Sequence, residues 1–328
     1  MGNRESGGAE EMTGYCGRGV AACLAAALMA GWALAQEPAR PAAEAKAMEA
    51  KAPDLPPEKL PPLFRFGLSE TWRPESGFSE SGGSMGYWTT GVSLRADMFL
   101  SRDISLTPSL NYDYTSFHWS DDQKFFPGAG DPFTDLHSLR LNADLRYWFT
   151  REYGALAGAG VGVSGEDDAL GDAWLGQGRL AWLWRPHQDL SLGLGVHYAA
   201  GMTEYTALPY LYADWRLSDT WRFTSMGPML RLGYGPARTL NFGVFGAYDG
   251  HRWRLGRSAT PSKGYVQIRG TRAGLDARLA LSEVVGVTVE AGVDLGRRIK
   301  ADDDDNERVA SDYLETAPFV GLKLNIAF

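Results

Sequence analysis

The sequence has little cysteine: among 328 residues, only Cys16 and Cys23 carry a thiol. Both lie near the N-terminus, in a segment that we expect to be removed as a secretory leader. The remaining chain then has no disulfide, no thiolate metal site and no cysteine nucleophile. A chain without thiols also suits export through an oxidising compartment.

The sequence also lacks an apolar run long enough for a transmembrane helix, which needs about 20 residues. The best candidate, Val20–Leu34, has fifteen residues and follows Arg18. It ends in Ala33-Leu34-Ala35, a small-residue pattern typical of signal-peptide cleavage. We therefore predict that residues 1–35 are a signal peptide. Met12 is an alternative start, because it would remove three glutamates that are unusual ahead of such a run.

An excess of positive charge is missing as well. The net charge is −8, and it becomes −7 without the leader, which carries two arginines and three glutamates. We expect no nucleic-acid partner, because phosphate contacts need basic patches. The mean hydropathy of −0.25 is low for a helical membrane protein. It is normal for a membrane β-barrel, in which only alternate residues face lipid.

Motifs of known catalytic chemistry are absent from the sequence. We find no G-x-S-x-G elbow, no H-E-x-x-H pair and no phosphate-binding loop. His137 and Ser138 are adjacent, so in a strand their side chains point to opposite faces and cannot pair. We predict no enzymatic activity, no catalytic residue and no cofactor. The alternative is an outer-membrane enzyme that acts on lipid or lipopolysaccharide, with His118 or His197 as its candidate residues.

The chain does contain a strong alternation of apolar and polar residues. In the last strand every second residue is apolar, from Pro318 through Val320, Leu322 and Leu324 to Ile326. A period of two gives a strand one apolar face and one polar face. The same pattern predicts strands in many other segments, for example at 92–100, 104–114, 139–149, 190–198 and 287–295.

The connections between these strands alternate between tight turns and longer loops, and two of the longer loops are predicted around 73–86 and 301–312. That order is typical of a bacterial outer-membrane barrel. We predict an all-β, transmembrane, antiparallel up-and-down β-barrel over residues 63–328, with an even number of strands. The number is about fourteen, with twelve as the fallback, because three short strands must fit into 221–257. Residues 36–62, rich in Ala and Pro, are predicted to be a disordered periplasmic linker.

Charged residues at inward positions of the alternation are the candidate lumen lining. Two interpretations stay open: a salt-bridged interior that stiffens the wall, and a polar pore lining that selects small solutes. The acidic run 302–305 lacks the spacing of a calcium loop, so we predict no metal site. The predicted lumen-lining residues are Arg95, Asp97, Asp113, Arg140, Asp144, Arg146, Asp214, Arg216, Glu290, Asp294 and Lys323.

Two local segments, 227–234 and 245–255, followed by the terminal strand, carry a family resemblance. With this layout, the region from Leu63 onward resembles uncharacterised outer-membrane β-barrel families of Gram-negative bacteria, which are catalogued as domains of unknown function. The resemblance implies a fold and location in the cell outer membrane. It brings no substrate, no catalytic residue and no oligomeric state.

The resemblance also implies a partner in biogenesis. We expect the barrel-assembly machinery to recognise the last strand through Phe328, Ile326 and Leu324. Independently of the resemblance, three arginines near the predicted outer rim are candidates for contacting lipopolysaccharide phosphates, and the favoured alternative is that they are simply solvated at the rim. They are Arg252, Arg254 and Arg257.

Together these observations predict a non-enzymatic outer-membrane protein that is a narrow passive pore or a structural wall protein. A third alternative is a transporter of hydrophobic solutes with an internal plug, for which the linker 36–62 is too polar and too short.

Overall fold

The computed structural model of the chain describes residues 62–120, 125–126, 132–202 and 204–328. The predicted leader and almost all of the predicted linker lie outside these residues. Within the described part, no helix is long and apolar enough to cross a membrane. A short 3-10 helix, Asp167–Asp172, accompanies the strands. The strands are β1 (Leu63–Gly77), β2 (Ser84–Phe99), β3 (Ile104–Ser120), β4 (Asp135–Trp148), β5 (Tyr153–Gly165), β6 (Trp174–His187), β7 (Leu190–Gly201), β8 (Glu204–Arg216), β9 (Trp221–Met226), β10 (Met229–Ala237), β11 (Leu240–Arg254), β12 (Tyr265–Ala280), β13 (Val285–Asp302), β14 (Arg308–Leu314) and β15 (Ala317–Ala327).

The strands form one closed antiparallel barrel. Successive strands pair with each other, and β1 also pairs with β15, which closes the sheet. β14 and β15 are two segments of one barrel strand, because β13 pairs first with one and then with the other. The barrel therefore has fourteen strands, and the predicted all-β fold and strand number are confirmed.

The two ends of the barrel differ in their connections. At the turn end, which also holds Leu63 and Ala327, six short turns join the strands. At the opposite, loop end, the connections include 166–173 and 255–264. Two predicted loops, around 73–86 and 301–312, are shorter than expected. The strands on both sides continue in register through most of these residues, with a bulge after Arg73.

The outer face of the barrel is apolar. Leu194, Leu180 and Leu275 are each more than 60 % exposed at outward positions of their strands. A soluble protein rarely exposes a continuous apolar surface, whereas a membrane barrel needs one. Near the turn end the exposed residues are aromatic and form a girdle of Tyr147, Phe149, Tyr153, Trp182, Trp184, Trp215, Trp221 and Tyr234.

Two ion pairs on the inner face join strands that are separated by one intervening strand. In each case a glycine of the intervening strand lies beneath the pair. Asp144 on β4 binds Arg179 on β6 above Gly158 of β5. In the same way Arg231 on β10 donates to Asp276 on β12 at 2.7 and 2.8 Å, above Gly243 of β11. A side chain on the middle strand would occupy the space of the pair, so these glycines let three strands be tied together.

We predict that Gly243→Ala disrupts the barrel far more than Gly246→Ala on the same strand. A Cβ at Gly243 would lie 2.5 Å from Asp276 Oδ2 and 2.6 Å from Arg231 Nε, whereas a Cβ at Gly246 meets no atom within 4 Å. Arg231 and Asp276 are both buried, so breaking their pair costs on the order of 3 kcal/mol. Urea titration of the folded band on a cold gel measures this difference. Equal midpoints for the two variants would contradict the bridging role.

Candidate functional site

The barrel interior brings several of the predicted lumen residues together. Arg140 donates to Asp113 on the adjacent strand at 2.6 Å. Lys323 on β15 donates to Glu290 on β13, also at 2.6 Å. Opposite charges on neighbouring strands thus neutralise each other along the wall.

Other predicted lumen residues bind partners that the sequence analysis did not select. Asp144 binds Arg179, and Asp214 accepts hydrogen bonds of 2.6 and 2.7 Å from Arg222. Arg216, a predicted lumen residue two positions after Asp214, lies at the turn end. Its guanidinium is 3.8 Å from the Asp189 carboxylate.

The two remaining predicted lumen arginines, Arg95 and Arg146, lie in the half of the barrel nearer the turn end. Arg95 donates to Asp97, its neighbour on the same face of β2, at 2.9 Å. Arg146 on β4 places its guanidinium 5.4 Å from the ring centre of Tyr212 on β8. Since β4 and β8 are not paired, this contact crosses part of the interior.

Arg73 links strands that are not neighbours in the barrel. From β1 it donates to Asp294 on β13 at 2.8 Å, and it lies 3.5 Å from Asp249 on β11, which is not adjacent to β1. Arg73 and Arg297 both stack on Tyr87, with guanidinium carbons 4.9 and 4.8 Å from the ring centre. Arg73 and Arg297 are almost fully buried. The interior at this level is filled by side chains.

An apolar cluster, here called the plug, occupies the interior between these arginines and the loop end. Phe117 on β3 contacts Trp253 on β11 across the barrel, with ring centres 6.0 Å apart. Phe126 from the β3–β4 connection is 1 % exposed and packs on Trp119. The plug consists of Phe78, Met85, Phe117, Trp119, Phe125, Phe126, Phe133, Leu136, Trp253, Leu255, Ala259, Val266, Ile268, Ile299, Ala301 and Leu314.

Backbone contacts close the mouth beside the plug. The end of β5 reaches β11, where Gly165 pairs with Arg254 and the Glu166 N–H donates to the Arg254 carbonyl at 3.0 Å. The Glu166 carboxylate accepts a 2.5 Å hydrogen bond from the Gly256 N–H. Burial raises the pKa of this carboxyl, an effect that the Gly256 N–H opposes and the nearby Asp168 reinforces. The two strand ends are clamped together over the lumen.

The wall has a gap beside this closed mouth. β9 and β10 are short, and their turn at Gly227–Pro228 is the last point at which they join β8 to β11. The Gly227 N–H donates to the Leu211 carbonyl at 2.8 Å, and the Tyr248 N–H donates to the Pro228 carbonyl at 3.0 Å. Beyond these bonds, among the described residues, 205–210 of β8 and 249–253 of β11 have no strand partner on the side of the gap.

A cavity of about 440 Å³ lies behind this gap. Inward residues of β6, β7 and β8 form one side of it, and β11 and β12 form the other. Met226, Gly227 and Pro228 form its lower edge. His197, a candidate residue of the enzyme alternative, lines this cavity together with Arg179. Pro209 is the sequence feature that could have indicated the gap, since proline inside a sheet is confined largely to edges.

Among the described residues, His118 does not form a catalytic pair with the serines that lie near it. His118 Nε2 lies 3.2 Å from Glu75 Oε1. The hydroxyls of Ser84 and Ser120 donate to the same Glu75 carboxylate, at 2.8 and 3.1 Å. Neither hydroxyl is therefore presented to the imidazole as a nucleophile.

The acidic run also forms no ligand cluster. Asp303 accepts hydrogen bonds from the backbone of Asp305 and Glu307, at 3.0 and 2.8 Å. Within the described ranges, no group of three or more acidic, histidine or cysteine side chains has the geometry of a metal site.

The terminal strand, proposed to be recognised during assembly, packs along β1. Leu324 and Ile326 lie opposite Leu68 and Phe66 of β1, and Phe328 stacks on Phe64 with ring centres 6.0 Å apart.

Among the predicted lipopolysaccharide contacts, Arg254 is buried and paired with Asp304. Arg252 is partly buried and stacks on Tyr265, with its guanidinium carbon 4.9 Å from the ring centre. Arg257 is the exposed one of the three.

Several solved structures resemble the barrel. The COG4313 outer membrane channel from Pseudomonas putida F1 has 10 % identity and a TM-score of 0.48, over 83 % of this chain and 97 % of that one. The translocator domain of the autotransporter NalP from Neisseria meningitidis has 11 % identity and a TM-score of 0.38, over 87 % and 95 %. LpxR from Salmonella typhimurium has 12 % identity and a TM-score of 0.35, over 80 % and 100 %.

Comparison of the sequence with curated proteins gives no match, but comparison with family models gives one. A family model, described as a domain of unknown function (DUF6268), matches residues 85–327, which is most of the barrel. The resemblance to an uncharacterised barrel family is thereby confirmed. The chain belongs to the DUF6268 family.

Proposed function

We propose that the chain is an outer-membrane β-barrel of a Gram-negative bacterium that acts as a narrow passive passage for small solutes, without enzymatic activity. The observation that carries this proposal is the contrast between the two faces of one closed sheet. The outer face exposes apolar side chains, and the inner face holds ion pairs such as Arg140–Asp113 around polar cavities. One such cavity, of about 220 Å³, lies among Ser69, Ser93 and Lys323.

The plug is the proposed gate of this passage. An apolar constriction stops water and ions because it does not hold a continuous column of water. Below it, paired charges of both signs give the lumen little preference for cations or anions. The passage is therefore closed along the barrel axis in this conformation and needs a rearrangement of the plug to conduct.

The other proposed partners follow from the same placement. We propose the exposed Arg257 at the loop end as the contact to lipopolysaccharide phosphates, since the buried Arg254 is engaged by Asp304. The terminal strand, with Leu324, Ile326 and Phe328, is proposed as the recognition element for the barrel-assembly machinery.

An enzyme acting on lipid is the weaker proposal, since Ser84 and Ser120 donate to Glu75 rather than to His118. A structural wall protein differs from a passage in one measurable way: it never conducts.

The location is tested by fractionation and by gel mobility. We expect the full chain to appear in the outer-membrane fraction and to migrate faster before boiling than after it, because a closed barrel resists unfolding by detergent. A chain that stays in the soluble fraction, or whose mobility is unchanged by boiling, would overturn the outer-membrane proposal.

The gate is tested by opening it. We predict that the double variant Phe126→Ala/Phe133→Ala conducts ions in planar bilayers, while the wild-type protein conducts little. Both rings are buried in the plug, and each truncation removes about 3–5 kcal/mol of packing.

Phe242→Ala is the matched control, because that phenylalanine is 44 % exposed on the outer face. We expect its conductance to equal that of the wild type. If neither the double variant nor the wild type ever conducts, the chain is a wall protein and the passage proposal fails.

A further inference from the structure

We infer that the gap between β8 and β11 is a lateral port, through which an amphipathic carboxylic acid with an apolar tail moves between the cavity and the outer leaflet of the membrane. This inference rests on the proposed function, since it requires the barrel to span an outer membrane. It adds a route and a class of solute to the axial passage described above.

The port is a real interruption of the hydrogen-bonded wall. β8 pairs with β9 only from Tyr212 to Arg216, and β10 pairs with β11 only up to Ala247. Backbone groups at such an edge are costly to expose to hydrocarbon, so irregular backbone at membrane depth is found where it lines a cavity. The cavity behind the gap meets that condition, because it offers polar partners directly inside the edge.

The gap lies at the depth of the hydrocarbon. β9 has six residues, which span about 15 Å of membrane thickness at the rise and tilt of barrel strands, out of an apolar band of about 25 Å. At the height of the gap the wall still exposes apolar side chains. Val196, opposite Pro209, is 53 % exposed on the outer face. The port therefore opens into lipid rather than into solvent.

The way out of the cavity along the barrel axis is covered. Met202, from the β7–β8 connection, packs on Tyr265 at the start of β12, and Ala173 joins them; all three are buried. The clamp between β5 and β11 lies beside this contact. Because the mouth is covered and the wall is interrupted between β8 and β11, the cavity opens sideways, through the wall of the barrel.

The lining of the cavity has two chemical halves. Toward the gap it presents apolar groups, including Leu208, Met226 and Tyr248. Of its four arginines, Arg140 and Arg179 are paired with Asp113 and Asp144, whereas Arg252 and Arg269 lie near each other on the neighbouring strands β11 and β12. Its one carboxylate, Asp249, lies 2.9 Å from His251 and 3.5 Å from Arg73. An apolar entrance followed by a surface that carries two arginines matches a molecule with an apolar tail and an anionic head.

A single carboxylate is the head group that these dimensions favour. A volume of about 440 Å³ is in the range that holds one small ligand. It leaves no room for a molecule with several acyl chains. Arg269 on β12 and Arg252 on β11 lie on the same side of the cavity, where the carboxylate is expected to bind.

The port is tested by photolabelling with decanoic acid that carries a diazirine in its tail. The protein is the full chain, expressed in a Gram-negative host and kept in vesicles of that outer membrane. We expect mass spectrometry to find the label on peptides that contain Leu208 and Met226. Excess decanoate should remove at least nine-tenths of this label, and decan-1-ol should remove much less, because the alcohol has no charge for the arginines.

Two variants locate the site. Thr206→Trp fills the cavity from the inner face of β8 and should reduce labelling at least tenfold. Ala207→Trp, on the outer face of the same edge and outside the cavity, should leave it unchanged. Arg269→Gln should keep the label but abolish the preference for decanoate over decan-1-ol.

The outcomes separate this inference from the proposed function. Label spread evenly over the outer wall, or label unaffected by Thr206→Trp in a protein that is still heat-modifiable, overturns the port alone. A wild-type chain that never enters the outer membrane overturns the proposed function first. If Thr206→Trp fails to assemble, the decanoate competition on the wild type and the Arg269→Gln variant decide the question.

Discussion

The constraint on which this structure depends is the closure of one sheet by backbone hydrogen bonds. In hydrocarbon an unpaired N–H or C=O costs several kcal/mol, so a chain that crosses a membrane as strands must return to its first strand. Here β15 pairs with β1 over eight residue pairs, which completes the barrel. Closure also gives the sheet an outer and an inner face, so each strand side chain points either to lipid or to the interior of the barrel. The gap beside β9 and β10 is notable because it is an exception to this rule.

The interior shows how charge is held inside such a wall. Pairs on adjacent strands, such as Lys323–Glu290, neutralise charge locally, while Arg231–Asp276 crosses over a glycine and fixes three strands at once. Arg73 reaches further and joins β1 to both β13 and β11. Above these charges the plug adds an apolar seal. The barrel thus changes along its axis from a polar, partly open interior to a packed core.

The fold could be predicted from the sequence because apolar and polar residues alternate regularly along most strands. Alternation identified the strands, the tight turns set their order, and inward positions such as Asp113 and Glu290 followed from parity. Their partners did not follow, because Asp144–Arg179 skips a strand and depends on the three-dimensional curvature of the wall. The plug was missed because Phe125, Phe126 and Phe133 lie in a connection without periodicity. The gap was signalled only by the short strands after Trp221 and by Pro209.

Residue-resolved amide hydrogen exchange in lipid nanodiscs tests the central claim most directly. If the wall is closed everywhere except at the gap, alternate amides of 205–210 and 249–253 will exchange rapidly, while β7, β12 and β13 remain protected at the same depth. Uniform protection of β8 and β11 along their whole length would contradict the account, because it would mean that the wall has no opening.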